Sequence, residues 1–251
     1  MQPILSARQL SKSFLLHGQP QLILQNVDLE MRAQSFVCVV GSSGCGKSTL
    51  LELLAGITRP DSGAIFYQGR EITGQSGLLG YMPQDDLLFP WLNVTENVLI
   101  PVRIKGKDVK AAKQRVQELL PIFGLKEHSD HLPYQLSGGL RQRAAFLRTC
   151  MMDTELLLLD EPFASLDAIT RLQLQNWLKV IATELKLSII LVTHDIDEAM
   201  KLGDEILVMK RRPGRFVASF TLDPNRESRA KELLELKREI LALVEGKKEQ
   251  V

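Results

Sequence analysis

The chain has 251 residues, 45% hydrophobic and 24% charged, with a formal net charge of +1. These values describe one large or two small globular domains, exclude a disordered or fibrous chain, and with no basic stripe give no support for nucleic acid as a partner. Its three cysteines, Cys38, Cys45 and Cys150, fit neither a disulfide framework nor a zinc spacing and so indicate a reducing, cytosolic compartment.

The N-terminal stretch MQPILSARQL lacks a basic start followed by an apolar core, and no segment reaches the ~18 uninterrupted apolar residues of a membrane span. If the protein works at a membrane, a partner is expected to carry it there. Residues 4–10 and 22–29 alternate and read as strands of an antiparallel sheet joined by the polar HGQPQ segment, with Phe14 in the connection. Residues 36–40 form a continuous apolar run suited to a strand buried on both faces. The helix after it buries Leu50, Leu51, Leu53 and Leu54 and stops at Gly56, with Pro60 close behind.

Two short strands follow at 64–67 and 78–82, the first ending at the turn residues Gly69 and Arg70. The character then changes: two prolines flank the exposed-looking Phe89 and Trp91, and Val109, Ala112, Val116, Leu119 and Leu120 recur at helical spacing. Residues 91–136 therefore read as a helical insertion in an α/β core, closed by Pro133 and the pair Gly138 and Gly139. The α/β rhythm resumes with a helix over 144–151, a strand over 156–159, a helix carrying Leu174, Trp177, Leu178, Ile181 and Leu185, and strands at 189–192 and 206–209. RRPGR at 211–215 and an extended 216–220 come next, and 225–246 places Leu233, Leu236, Ile240 and Leu243 on one helical face, to be packed on the core. Strands alternating with helices imply a parallel sheet.

Between the apolar run 36–40 and the periodic run 50–54 stands GSSGCGKST: Gly41, Ser42, Ser43, Gly44, Cys45, Gly46, Lys47, Ser48 and Thr49. It has the strand, GxxxxGK[ST], helix order of a phosphate-binding loop. Glycines let the backbone turn its N–H groups and a helix N-terminus toward a polyphosphate, Lys47 reaches the outer phosphates, and the Ser48 hydroxyl holds Mg2+. The bland alternative is a glycine-rich turn before a core helix. Further on, LLLLDE over 156–161 is an apolar strand ending in two carboxylates, at the edge where parallel sheets bind ligands. Asp160 there would orient Mg2+ and Glu161 would polarise the water attacking the terminal phosphate. Such a run alone is a weak signal; paired with the phosphate loop it is strong.

LSGGLRQR over 136–143, upstream of that strand, resembles the signature motif of ABC ATPases, usually read LSGGQ, although Leu-Ser-Gly-Gly by itself could be only a helix cap. The resemblance extends in order along the chain to about residue 220 and implies an ABC-type P-loop NTPase fold. That fold has a parallel sheet core (1–90 and 137–220) with an N-terminal antiparallel subdomain, a helical subdomain (91–136) and a C-terminal tail (221–251). By the same resemblance Gln84 is the Q-loop glutamine, contacting Mg2+ or water and linking the site to a transmembrane partner. Ser165-Leu166-Asp167 is similar to the D-loop, with Asp167 crossing between subunits, and His194 in VTHD to the switch histidine that contacts the γ-phosphate. Phe14 would stack on adenine where the family often has Tyr, a π-face contact that needs no hydroxyl.

The departure is Leu140 in place of Gln. Phosphate contacts in this motif belong to Ser137 and the N–H groups of Gly138 and Gly139, so hydrolysis should be spared. PFASLDAITR, PWLNVTENV and RRPGR are similar to the bacterial importers of nitrate, sulfonates, taurine and thiamine-precursor pyrimidines. The resemblance implies an ATP hydrolase at the cytoplasmic face of the membrane, working as a head-to-tail dimer that sandwiches MgATP. Its other partners would be permease subunits and, indirectly, a substrate-binding protein. A soluble ABC ATPase, an exporter subunit and a phosphate-loop kinase stand as alternatives. Cys45, inside the loop, is expected to react with thiol reagents unless ATP is present.

Overall fold

The computed structural model describes residues 2–16, 18–211, 213–223 and 230–245. The chain divides into two compact units, Met1–Gly77 with Leu187–Val251, and Leu78–Lys186.

The first unit holds two sheets. One is antiparallel, of order β2-β1-β4-β5, built from β1 (Leu5–Leu16), β2 (Gln19–Met31), β4 (Ser62–Tyr67) and β5 (Arg70–Glu71). The β1–β2 hairpin is longer than alternation indicates, and it takes in Phe14, which pairs with Gln21 instead of lying in the connection. Register shifts after Ala7, Leu10 and Lys12, with Gln9 at φ 49°, explain the difference. Each bulge resets the inside-outside period, so the sequence pattern breaks while the ladder continues. Arg70 is likewise a strand residue: Gln68 (φ 49°) and Gly69 (φ 76°) make the two-residue turn, and Arg70 pairs with Tyr67.

The other strands of this unit are β3 (Phe36–Val40), β8 (Ser188–Thr193), β9 (Glu205–Lys210) and β10 (Arg215–Thr221). β3 lies between β8 and β9 and is parallel to both, while β10 closes antiparallel on β9. Every residue of β3 and β8 is buried, which is why both read as continuous apolar runs. Helix α1 (Lys47–Leu54) buries all four leucines named from its sequence, each contributing about 2 kcal/mol of apolar burial. A short helix, α7 (Ile196–Leu202), was not legible as an element; its signal is the cap Asp195, whose Oδ1 accepts from the N–H groups of Asp197 (2.9 Å) and Glu198 (3.2 Å). Helix α8 (Ala230–Val244) buries Ile240 and Leu243 against β9 and α7, and Lys237 pairs with Asp197 at 2.6 Å. The rest of the sequence-read helix, 225–229 and 246, lies outside the described residues, as do His17 and Arg212 of the two turn motifs.

The second unit pairs β6 (Gly80–Met82) in parallel with β7 (Leu156–Asp160). Its helices are α2 (Val94–Val98), α3 (Ile100–Ile104), α4 (Val109–Ile122), α5 (Gly138–Cys150) and α6 (Ala168–Glu184). Phe123, Phe146 and Trp177 interlock at its centre, with centroids 5.2 to 6.0 Å apart, and Arg143 covers Trp177 at 5.0 Å. Helix α5 starts six residues before the sequence-read helix. Gly138 and Gly139, read as a break, are its first turn. A Cβ on Gly139 would lie 2.9 Å from Thr170 Cγ2, so close packing against α6, not a turn, accounts for the glycine.

Candidate functional site

In the first unit the phosphate loop leaves the C-terminal end of β3. Gly46 caps α1 in the left-handed region at φ 105°, where a side chain would be strained and would also meet Leu24 Cδ2 at 2.7 Å. Lys47 is buried, 5% exposed, and its Nζ donates to the carbonyls of Gly41 (2.9 Å) and Ser42 (3.4 Å). The ammonium therefore sits inside the curve of the loop. Ser43, Gly44 and Ser48 are exposed, Ser42 and Thr49 half-buried and Gly41 buried. Cys45 is only 1% exposed, and burial pushes its thiol above the usual range despite the opposing Lys47 charge. The expected reactivity of Cys45 is thus corrected: its side chain turns into the core while its neighbours face outward. The RRPGR turn leans on the same loop. Gly214 exchanges backbone hydrogen bonds with Ile23 (2.7 Å) and Gln25 (3.1 Å), and a Cβ there would stand 2.2 Å from the Cys45 carbonyl.

Val40 and Thr193 are opposed across the parallel β3–β8 pair, so the phosphate loop and His194 leave the sheet at one edge. His194 is exposed there. Phe14 is 38% exposed on the β1–β2 hairpin, with Lys12 Nζ 5.3 Å from its ring centroid and Lys12 in turn bonded to Asp61 at 3.0 Å.

The second unit gathers the other named residues. Met82 pairs with Leu159, so Gln84 and the acids Asp160 and Glu161 emerge from neighbouring strand ends. Asp160 is buried, 3.4 Å from the Tyr81 hydroxyl, and Glu161 holds a left-handed φ of 43°, a backbone conformation that an ordinary residue adopts only under constraint. Ser137 caps α5, accepting from the Leu140 N–H at 3.3 Å, and Gly138 packs on Leu166 of the SLD segment. Asp167 caps α6 through the N–H groups of Ile169 and Thr170, both at 3.1 Å, and the bond from Thr170 holds its carboxyl below the usual range.

Three residues that sequence reasoning passed over hold the stretch after Gln84. Arg148 of α5 donates to the carbonyls of Asp86 and Leu87, both at 2.6 Å, and Arg141 pairs with the Asp86 carboxylate at 3.1 Å. Leu87 sits at φ 44°. Asn97, fully buried, accepts from the Phe89 N–H (2.7 Å) and donates to the carbonyls of Phe89, Leu92 and Asn93. Their signal in the sequence was weak: polar residues on apolar helix faces, whose partners are distant or nonperiodic.

The protein-family model described as ABC transporter matches residues 24–164. The chain belongs to the ABC transporter family. Among its relatives in this family is the aliphatic sulfonates import ATP-binding protein SsuB of Bacillus subtilis, 41% identical over 81% of this chain and 79% of that protein. The taurine import ATP-binding protein TauB of Pseudomonas aeruginosa is 39% identical over 87% of this chain and 83% of that one. Among solved structures, the dimeric post-hydrolysis state of the ATP-binding cassette MJ0796 bound to ADP and Pi superposes with a TM-score of 0.75. It is 27% identical and covers 87% of this chain and 99% of that one. The ABC ATPase fold expected from the motifs is therefore the fold of this chain.

Proposed function

We propose that this protein is the ATP-hydrolysing subunit of a bacterial importer for sulfonates, taurine, nitrate or a related small molecule. The observation that carries the reading is the phosphate loop with Lys47 turned into its curve, at the same sheet edge as His194. The names of the sulfonate and taurine import relatives support the cargo class.

Lys47 exchanges the loop carbonyls for the outer phosphates of ATP, a charge-assisted contact stronger than the one it leaves. Phe14 offers a ring face to adenine. Ser48, Gln84 and Asp160 supply the oxygen donors that a hard divalent cation takes, and bound Mg2+ would neutralise phosphate charge. Glu161 accepts the proton of the attacking water and His194 bonds the γ-phosphate. Ser137, Gly138 and Gly139 present the N-terminus of α5 to the nucleotide of a second copy, with Asp167 beside them. The working unit is a head-to-tail dimer, a reading that the dimeric solved relative supports. ATP binding closes the dimer, hydrolysis opens it, and the motion gates a permease fed by a substrate-binding protein at the membrane surface. Among the described residues no helix is long and apolar enough to cross a membrane. Residues 91–136 form the helical subdomain that meets the permease, through Phe89 and Trp91 at its margin.

The test is Glu161→Gln in the purified protein. Turnover should fall by about 10²- to 10³-fold while ATP affinity stays within a few-fold, the range expected on losing a general base. With ATP the variant should sediment as a dimer. Wild-type turnover, or a variant that stays monomeric with ATP, would refute the reading.

A further inference from the structure

The buried acid Glu198 has no part in the chemistry above, yet it is only 5% exposed on α7, among the buried Ile196, Ala199, Met200 and Leu202. A carboxylate removed from water is costly unless its oxygens are bonded, so an apolar residue would serve better if filling space were its only task. One partner of it is the hydroxyl of Thr193, the last residue of β8, itself buried. That hydroxyl gives its one proton to Glu198 Oε2 and accepts the N–H of Asp195 at 3.0 Å. Asp195 in turn accepts from the N–H groups of Asp197 and Glu198 through its side chain and from that of Ala199 through its carbonyl (3.2 Å). The chain from 193 to 199 thus closes on itself, and His194 stands within the ring.

We infer that Glu198 is the positioning residue of His194: through Thr193 it holds the turn from which the imidazole reaches the terminal phosphate. The inference rests on the reading of His194 given under the proposed function. A carboxylate oxygen is what the ring needs at this point, because Thr193 can donate to Glu198 and still accept from Asp195. Apolar side chains at 198 would leave the hydroxyl proton unpaired in the core, and the turn would relax toward whatever acceptor it could find.

The experiment compares Glu198→Ala, Glu198→Gln, Thr193→Val and Thr193→Ser in steady-state turnover and ATP affinity. It also follows the His194 ring signals by NMR in protein with labelled histidines, assigned by their loss in His194→Ala. Glu198→Ala should lower kcat by about 10- to 100-fold, the range for a displaced catalytic group, with ATP affinity within about twofold. It should also shift the His194 ring signals. Glu198→Gln keeps an acceptor oxygen and recovers most of the turnover, as Thr193→Ser does relative to Thr193→Val. Lys237→Ala, which removes the ion pair from Asp197 on the same helix, leaves both readouts unchanged. Unmoved His194 signals in Glu198→Ala, or equal losses in the Gln and Ala variants, overturn the inference. If Glu198→Ala does not fold, the Thr193 pair decides by the same criteria. Wild-type turnover in His194→Ala would defeat the reading of His194 itself, an outcome separate from whether its ring moves when Glu198 is changed.

Discussion

Lys47 donates to the carbonyl of Gly41, six residues back along the same loop, at 2.9 Å. The ammonium is thereby held with its charge already inside the curve of the loop, so on the proposed reading little side-chain freedom is lost when ATP binds.

Replacing Lys47 with Ala should weaken ATP binding by about 10- to 100-fold, the loss of one charge-assisted hydrogen bond to the nucleotide. Calorimetric titration with ATP checks this. Unaltered affinity would count against the phosphate-loop assignment.

The three cysteines are all buried. Burial raises the Cys45 thiol and pushes Cys150 up to about 12, so neither presents thiolate near neutral pH. Native protein should show no fast-reacting thiol toward a small aromatic disulfide, with or without ATP, and all three should react on unfolding. A raised pKa lowers the thiolate fraction at any pH below it. Rapid labelling of Cys45 that ATP suppresses would contradict this placement.

Arg148 reaches two consecutive carbonyls, of Asp86 and Leu87, in the stretch that follows Gln84. Arg148→Ala should leave both unpaired and destabilise the protein by about 1 to 3 kcal/mol. Hydrogen exchange should rise over residues 84–91 first. Arg148→Lys should restore little, since an ammonium cannot reproduce a planar two-pronged donor. Unchanged exchange in that stretch would show that the arginine does not hold it.

Trp91 is 70% exposed and its ring lies 5.3 Å from that of Phe89. Trp91→Ala should leave the stability of the isolated subunit within about 0.5 kcal/mol, as expected for a surface change, and leave its ATP turnover as it was. Co-purification with the permease should be lost. Retained co-purification would move the permease contact elsewhere.

What the residues determine by themselves is the set of local elements whose chemistry is continuous along the chain. The apolar run at 36–40 is a strand with the bounds read for it, because burial on both faces leaves no ambiguity of period. The loop that follows and the leucines of α1 are equally local. The acids Asp160 and Glu161 close an apolar strand for the same reason.

Only the tertiary structure decided the rest, because it depends on groups that no run or period of the sequence brings together. Bulges continue β1 past Phe14 although the alternation fails, since the ladder is set by β2 and not by pattern. Gly138 and Gly139 open a helix that Ser137 caps, and they are glycines because Leu166 and Thr170 crowd them. Cys45 turns inward, Arg148 finds carbonyls 61 and 62 residues upstream, and Glu198 finds the hydroxyl of Thr193 across a turn. A one-dimensional pattern records how apolar each residue is; which buried polar atom meets which is settled only when the chain folds.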